Sequence, residues 1–413
     1  MKKLLALASA LLLLFSVGCE KSATDYINHI SSFIEEKVVT AVENSEISLS
    51  NIARIQPENE NESDGYLSAY DRLDYYQKKL YSIIRKAVES MELRLIDITG
   101  YSSNDIFSDA ITAHRALMCD RPDIFWMPKT LSLVSVSGKK NKYICFKDYY
   151  AEDDGIGFYG ITGQQRDVML SELKTVRNMV FEKTDQLETA FEKELYFHDY
   201  ICEHTVYDSA SANDLNNADA NSMSAYGALV NGTAICEGYS RAMQYLCMES
   251  GIPCNLVYGE SDGTPHMWNI IDPGDGIYYL DTTFDDSSDS SVLHSYFNLT
   301  KAEISDDHIF SEGFLSTKTY DVSDSFNFFT DDCNNTALNY YEKTGAYITE
   351  DCQSAIDHLL YQSSAGKSHA ELKNLTSQTG AQAIKLLRES LSGILRLKEC
   401  YEYSGKPIII VTW

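Results

Sequence analysis

Three residues in the middle of the chain have the types and surroundings needed for nucleophilic chemistry. Gly232 precedes Cys236 and Gly238 follows it, and residues 237 to 250 can form a helix with Met243, Leu246 and Cys247 on one face before Gly251-Ile252-Pro253 stops it. Cys236 then sits at a helix N-terminus, where unpaired N–H groups and the positive end of the dipole favour the thiolate over a thiol of ordinary pKa, about 8.5. Downstream, two extended runs, His266-Met267-Trp268-Asn269-Ile270-Ile271 and Ile277 to Phe284, are joined through Asp272-Pro273-Gly274-Asp275-Gly276. With the two-residue loop Pro273-Gly274, His266 pairs directly with Asp281. With the four-residue loop Pro273 to Gly276, Asp281 lies opposite Trp268, one diagonal step from His266. Both registers put the imidazole and the carboxylate on one face, whereas a loop of odd length or a bulge separates them. A thiol, an imidazole to take its proton and a carboxylate to orient the imidazole make a nucleophile, a base and an orienter.

The chain is large enough to hold such a set in a packed interior. Its 413 residues are 44% hydrophobic and 11% aromatic, which suits two or three globular domains. The formal charge of −27 repels nucleic acid and anionic headgroups and fits a well-solvated surface. At the N-terminus, Met1-Lys2-Lys3 precedes an apolar run from Leu4 to Val17, broken by Ser9 and Ser16. That run is shorter than the roughly 20 residues of a membrane span, so residues 1–18 read as an export leader. Ser16-Val17-Gly18-Cys19 resembles the lipobox of bacterial lipoproteins, with Ser16 where Leu is usual. The resemblance implies a lipid on Cys19 and an extracytoplasmic protein tethered to the cell membrane by that lipid.

The expected organisation is a tether, helical segment and linker over 19–66, a helical and hairpin region over 67–183, a core over 184–325 and a small C-terminal domain over 326–413. Residues 57 to 65 read as a solvated linker. Helical spacing runs from Leu73 to Met91 and a second helix covers Asn104 to Met118, while residues 131–136 and 143–146 flank a hairpin turn. Gly155-Ile156-Gly157-Phe158-Tyr159-Gly160 spells a dinucleotide fingerprint. Asp153 and Asp154 would repel a pyrophosphate, however, and no strand with a ribose-binding acid follows, so the stretch reads as a loop. His198 shares a helical stripe with Leu187, Phe191, Leu195 and Ile201 and reads as a core or boundary residue. Asp285 to Asp289 lack the periodic ligands of a calcium loop and read as a solvated turn, and His294 and His308 are assigned no chemistry. Of the ten cysteines no two form C-x-x-C and no histidine lies at zinc-ligand spacing from any pair, so neither a metal nor a cofactor is expected, and disulfide pairing stays open. Further on, residues 381 to 399 suggest a helix and Ile408 to Val411 a buried strand.

Residues 225–240 with Cys236, His266-Met267-Trp268-Asn269 and Tyr279-Leu280-Asp281-Thr282-Thr283-Phe284 resemble, in this order, the Cys, His and Asp motifs of the transglutaminase-like superfamily. Phe284 stands where many relatives have Trp. Flanking segments around His198-Asp199-Tyr200 and Tyr296-Phe297-Asn298, and upstream Asp120-Arg121-Pro122-Asp123, are similar to those of bacterial members. The resemblance implies an α+β fold: a papain-like core whose Cys-bearing helix packs on an antiparallel sheet bearing His and Asp, with a helical N-terminal region and a small C-terminal domain. It implies acyl transfer through a Cys236 thioester at peptide or amide bonds, with protein cross-linking as a variant. The Cys236 backbone N–H and a side-chain donor, Tyr207 or Tyr226, would stabilise the oxyanion, and Trp268 and Gly238 would line the substrate cleft. The expected partner is an extracellular protein or peptide, cell-wall peptide included, and not nucleic acid. The alternative is a non-catalytic adhesion or scaffold module that holds peptides in the same cleft.

Overall fold

The computed structural model describes residues 38–40, 52–58, 67–101, 105–129, 131–135, 140–146, 160–214, 218–286, 292–311, 327–403 and 406–413. The leader with Cys19, most of the acidic linker, the glycine-rich stretch at 155–159 and residues 287–289 lie outside them.

Helix α1, Tyr75–Glu89, begins at a reciprocal cap in which Asp74 accepts from the Gln77 amide and the Gln77 side chain accepts from the Asp74 amide. Leu80, Ile83, Ile84, Ala87 and Val88 form its buried face, which packs on α2, Ile106–Asp120. The same region holds a five-stranded sheet of β1 (Val38–Thr40), β2 (Ile52–Ala53), β3 (Leu95–Asp97), β4 (Ser132–Ser135) and β5 (Lys142–Cys145), in the order β1-β4-β5-β3-β2. β4 and β5 form the expected antiparallel hairpin. Strands β1 and β2 fall where a helical tether was expected; they pair parallel with β4 and β3. Tertiary pairing has overridden a weak local amphipathic pattern there.

Helices α3, Gly163–Thr184, and α4, Ala190–His204, start at the caps Thr162/Gln165 and Thr189/Glu192. The short parallel pair β6 (Val206–Tyr207) and β7 (Thr233–Ala234) leads into α5, Cys236–Glu249. Helix α5 packs on α4 and on an antiparallel sheet of β8 (Cys254–Ser261), β9 (Thr264–Ile271), β10 (Tyr278–Leu280) and β11 (His308–Phe310), ordered β10-β9-β8-β11. This is the expected mixture of helix and sheet around the cysteine.

The turn between β8 and β9 is Asp262-Gly263, with φ of 51° and 70°, a two-residue connection whose twist matches its strands. It sets Gly259 opposite His266. A Cβ on Gly259 would come within 2.0 Å of the Ile309 carbonyl and 2.6 Å of the Trp268 ring, so its absence is what lets β11 and Trp268 close against the sheet.

The C-terminal residues form a further four-stranded sheet of β12 (Tyr347–Ile348), β13 (His369–Asn374), β14 (Glu399–Glu402) and β15 (Ile408–Thr412), ordered β12-β13-β15-β14, with α6, Gln353–Ser364, and α7, Gly380–Ser390. The apolar run Ile408 to Val411 is buried at the middle of this sheet, as its composition requires. Helix α7 ends at Ser390, short of residue 399, in a turn where Gly393 takes a φ of 80°.

Candidate active site

Helix α5 begins with Cys236. Its N-cap, Ile235, has no side chain able to cap the first turn, and its carbonyl takes the Gly238 amide at 2.8 Å. The approach to the helix is fixed by backbone bonds from Ile235 N to Ser222 O and from Asp208 N to Ala234 O. Among the described cysteines all nine are free thiols; seven are buried, and Cys236 and Cys400 are partly exposed.

His266 projects from β9, its side chain 7% exposed. Nε2 meets Asp281 Oδ2 at 2.7 Å, and the Cys236 thiol lies near enough to the ring to favour its protonated form. The register Leu280↔Asn269 puts Asp281 one diagonal step from His266, the second of the two registers the sequence allowed. Strand β10 stops at Leu280 instead of reaching Phe284. Asp281 caps a one-turn helix, Thr282–Asp285, by accepting from Thr283 N at 2.9 Å. Its carboxylate is therefore held from both ends: Oδ1 by the backbone, Oδ2 by His266.

A second imidazole completes Asp281. His308 on β11 places Nε2 3.0 Å from the same Oδ2. Its Nδ1 lies 2.7 Å from Asp307 Oδ1, and Asp307 Oδ2 in turn accepts from Tyr296 Oη at 2.7 Å and Lys406 Nζ at 2.8 Å. The set thus runs Cys236, His266, Asp281, His308, Asp307 and Lys406, the last contributed by the C-terminal sheet region. The sequence assigned His308 no chemistry, because no local spacing ties it to Asp281, 27 residues away.

Burial opposes a charged His266 ring, but the Asp281 carboxylate and the Cys236 thiol outweigh it and raise the ring to about 10. Burial pushes Asp281 upward, and His266 and His308 overcome that and hold it below the usual carboxylate range. Lys129, which no local pattern marks, lies against Glu237, Nζ to Oε2 2.5 Å. Burial lowers its pKa, Glu237 works against that, and Arg241 adds to the lowering. Lys129, Glu237 and Arg241 also line a cavity of about 180 Å³ with apolar walls that include Phe125, Met127 and Met223.

Several expected site residues have other places. Tyr226 is buried, donates to Glu172 Oε2 at 2.7 Å and packs on Phe125, so its hydroxyl is committed away from an oxyanion. Trp268 is fully buried between His266, His308 and Phe310 and supports the histidines from behind instead of lining a cleft. Gly238 lines no cleft either: a Cβ there would meet Ser222 O at 2.6 Å and the Ala234 methyl at 2.7 Å, so it is the residue that lets the helix start pack on the preceding loop. Tyr207 is 42% exposed and pairs with Ala234, two residues before the nucleophile. Asp285, expected in a solvated turn, is completely buried and accepts from Tyr296 N and Ser295 Oγ. His198 is buried as expected, but between two carboxylates, Asp199 and Asp285.

Residues 177–296, the stretch that holds Cys236, His266 and Asp281, match the model of the transglutaminase-like superfamily. Among solved structures, one described as a TGase shares 19% identity with a TM-score of 0.28, covering 39% of this chain and 45% of that one. A proposed cysteine protease from Cytophaga hutchinsonii shares 18% identity with a TM-score of 0.23, covering 27% of this chain and 37% of that one. The chain thus spans less than half the length of either. No curated protein matches the chain. The segment carrying the site, of mixed helix and sheet, is thus similar to a transglutaminase-like core.

Proposed function

We propose that the chain is a cysteine enzyme that cleaves peptide or amide bonds through a Cys236 thioester, held at the outer face of the cell membrane by lipid on Cys19. The observation that carries the chemistry is the 2.7 Å bond between His266 Nε2 and the buried Asp281 carboxylate, in a ring whose protonated form the neighbouring Cys236 thiol also favours. In the forward step the Cys236 thiolate attacks the carbonyl carbon and the oxyanion draws on the Cys236 backbone N–H, with Tyr207 as the remaining side-chain donor. Collapse breaks the C–N bond, His266 gives its proton to the departing amine, and an acyl-thioester remains. Water, deprotonated by His266, then releases the acid and restores the thiol. A primary amine in place of water gives transamidation through the same steps, and hydrolysis is the reading put forward here. The substrate class is an extracellular protein or peptide.

The test is alkylation of the full chain with iodoacetamide across pH 4 to 9, mapped by mass spectrometry, for wild type and His266→Ala. An ordinary thiol is under about 1% thiolate at pH 6, so an activated Cys236 should react roughly 100-fold faster there than Cys400, its partly exposed counterpart. The advantage should vanish without His266. Equal rates for Cys236 and Cys400 in both proteins would remove the enzyme reading and favour a peptide-holding module. Peptide substrates offered with and without a fluorescent primary amine then separate hydrolysis from transfer.

A further inference from the structure

Outside the catalytic set, a second cluster of histidines and carboxylates lies at the seam between α4 and the C-terminal sheet. We propose that His198, Asp199 and His294 form a binding site for a divalent first-row transition metal ion, zinc by preference. One ligand atom from each lies within 4.8 Å of the other two. His198 Nδ1 is 3.0 Å and His294 Nε2 2.8 Å from Asp199 Oδ1. Nitrogen and oxygen ligands about 2.0–2.1 Å from one ion stand roughly 2.9 Å apart at right angles and 3.3 Å apart at the tetrahedral angle, so opening by a few tenths of an ångström admits the ion.

The residues behind the ligands argue for a metal more strongly than the ligands do. A metal-binding histidine characteristically donates its other ring N–H to a carboxylate or carbonyl, which fixes the tautomer and the aim of the ring. Both histidines are held this way. His198 Nε2 faces Asp285 Oδ2 at 3.2 Å, and His294 Nδ1 faces Glu371 Oε1 at 2.5 Å. These two carboxylates are themselves fixed, Asp285 by Tyr296 N and Glu371 by Tyr341 Oη at 2.8 Å, and both are buried. Tyr340 stacks on the His294 ring at 3.8 Å and Phe297 packs edge-on to His198 at 5.2 Å, so neither ring is free to turn.

Access agrees with this. The Asp199 side chain is 37% exposed, which gives the ion an entry route and leaves room for a water ligand. Two imidazoles and one carboxylate suit zinc, iron(II), cobalt(II) or manganese(II) over calcium. Because Glu371 belongs to β13, a metal here clamps the C-terminal sheet to the core, whether or not Cys236 is catalytic. Ligands 95 residues apart explain why no local spacing announced the site.

The experiment uses tag-free full-length protein, loaded with zinc, passed over a chelating resin and assayed for metals. About one metal per chain is expected, retained by Cys236→Ala and His308→Ala and lost by Asp199→Asn and His294→Ala; Glu371→Gln should weaken binding about 10–100-fold. Thermal unfolding of the wild type with and without zinc supplies a reading if those variants fail to fold, with a higher Tm expected in zinc. Cobalt loading should give visible absorption that disappears in Asp199→Asn. A wild type that retains no metal and unfolds at one temperature in both conditions would show that the five groups simply satisfy one another as a hydrogen-bond network. Metal lost in His308→Ala but kept in His294→Ala would place it at the catalytic set, and would equally overturn the proposal.

Discussion

His266 and His308 share one acceptor: each puts Nε2 on Asp281 Oδ2, at 2.7 and 3.0 Å, with ring centroids 5.4 Å apart. The carboxylate that holds His266 is thus itself held by a fully buried second ring, and it cannot swing away from His266 without abandoning His308.

His308→Gln therefore should act on Cys236 at a distance. We expect alkylation of Cys236 at pH 6 to fall about tenfold, the equivalent of one pKa unit, to a rate between those of wild type and His266→Ala. The comparison across pH matters, since a residue that merely packs would lower stability without moving the pH profile. An unchanged profile in a folded variant removes His308 from the positioning of Asp281.

The pH dependence of stability follows from the same pair. His266 is raised to about 10 from an ordinary value near 6.5, so the folded state holds its proton more tightly, and that contribution is complete below about pH 6.5 and is lost as pH climbs to about 10. Asp281 is depressed, so its contribution is present above about pH 4 and disappears on acidification. The Tm difference between wild type and His266→Gln should be widest near pH 5 to 6 and should narrow steadily toward pH 10. A gap that widens with alkaline pH would mean the ring is neutral in the folded protein.

Gly259→Ala tests the contact that seats β11. The added methyl meets a carbonyl at 2.0 Å, so backbone must move, at a cost of about 1–3 kcal/mol or more. Because the displaced strand carries His308, Cys236 alkylation should fall with stability. Wild-type Tm and reactivity would show that β11 does not depend on the close approach.

Trp268→Ala should destabilise by about 3–5 kcal/mol, as emptying a fully buried aromatic site does, while Trp268→Phe keeps most of the packing. Once a peptide substrate is in hand, KM for Trp268→Phe should match wild type. A several-fold rise in KM would return Trp268 to the substrate cleft.

Much of the site was legible because it depends on short-range rules. The glycines around Cys236, the stop at Gly251-Ile252-Pro253 and the helical periodicity between them place the cysteine at a helix start without reference to the rest of the chain. The alternation of a strand likewise puts His266 and Asp281 on one face for either even loop. What remained open was which loop forms. Asp272 Oδ1 accepts from Gly274 N, and Gly274 and Gly276 take φ of 110° and 133°, a turn compatible with the longer loop.

Strand period says which side of a sheet a residue faces and nothing of what covers that side. Trp268 and Gly238, read as cleft residues, are buried because β11 and the 222–224 segment close over them. Tyr226 goes to Glu172 because α3 passes beside it. Asp285 looked solvated within an acidic run, yet the fold surrounds it with His198 and the Tyr296 amide. The sequence by itself determined that Cys236 starts a helix and that His266 and Asp281 share a strand face, since both follow from local helix, strand and turn chemistry. Only the tertiary structure decided that His308 closes on Asp281 and Glu371 on His294, because burial and pairing across 27 and 77 residues come from long-range packing that no local pattern encodes.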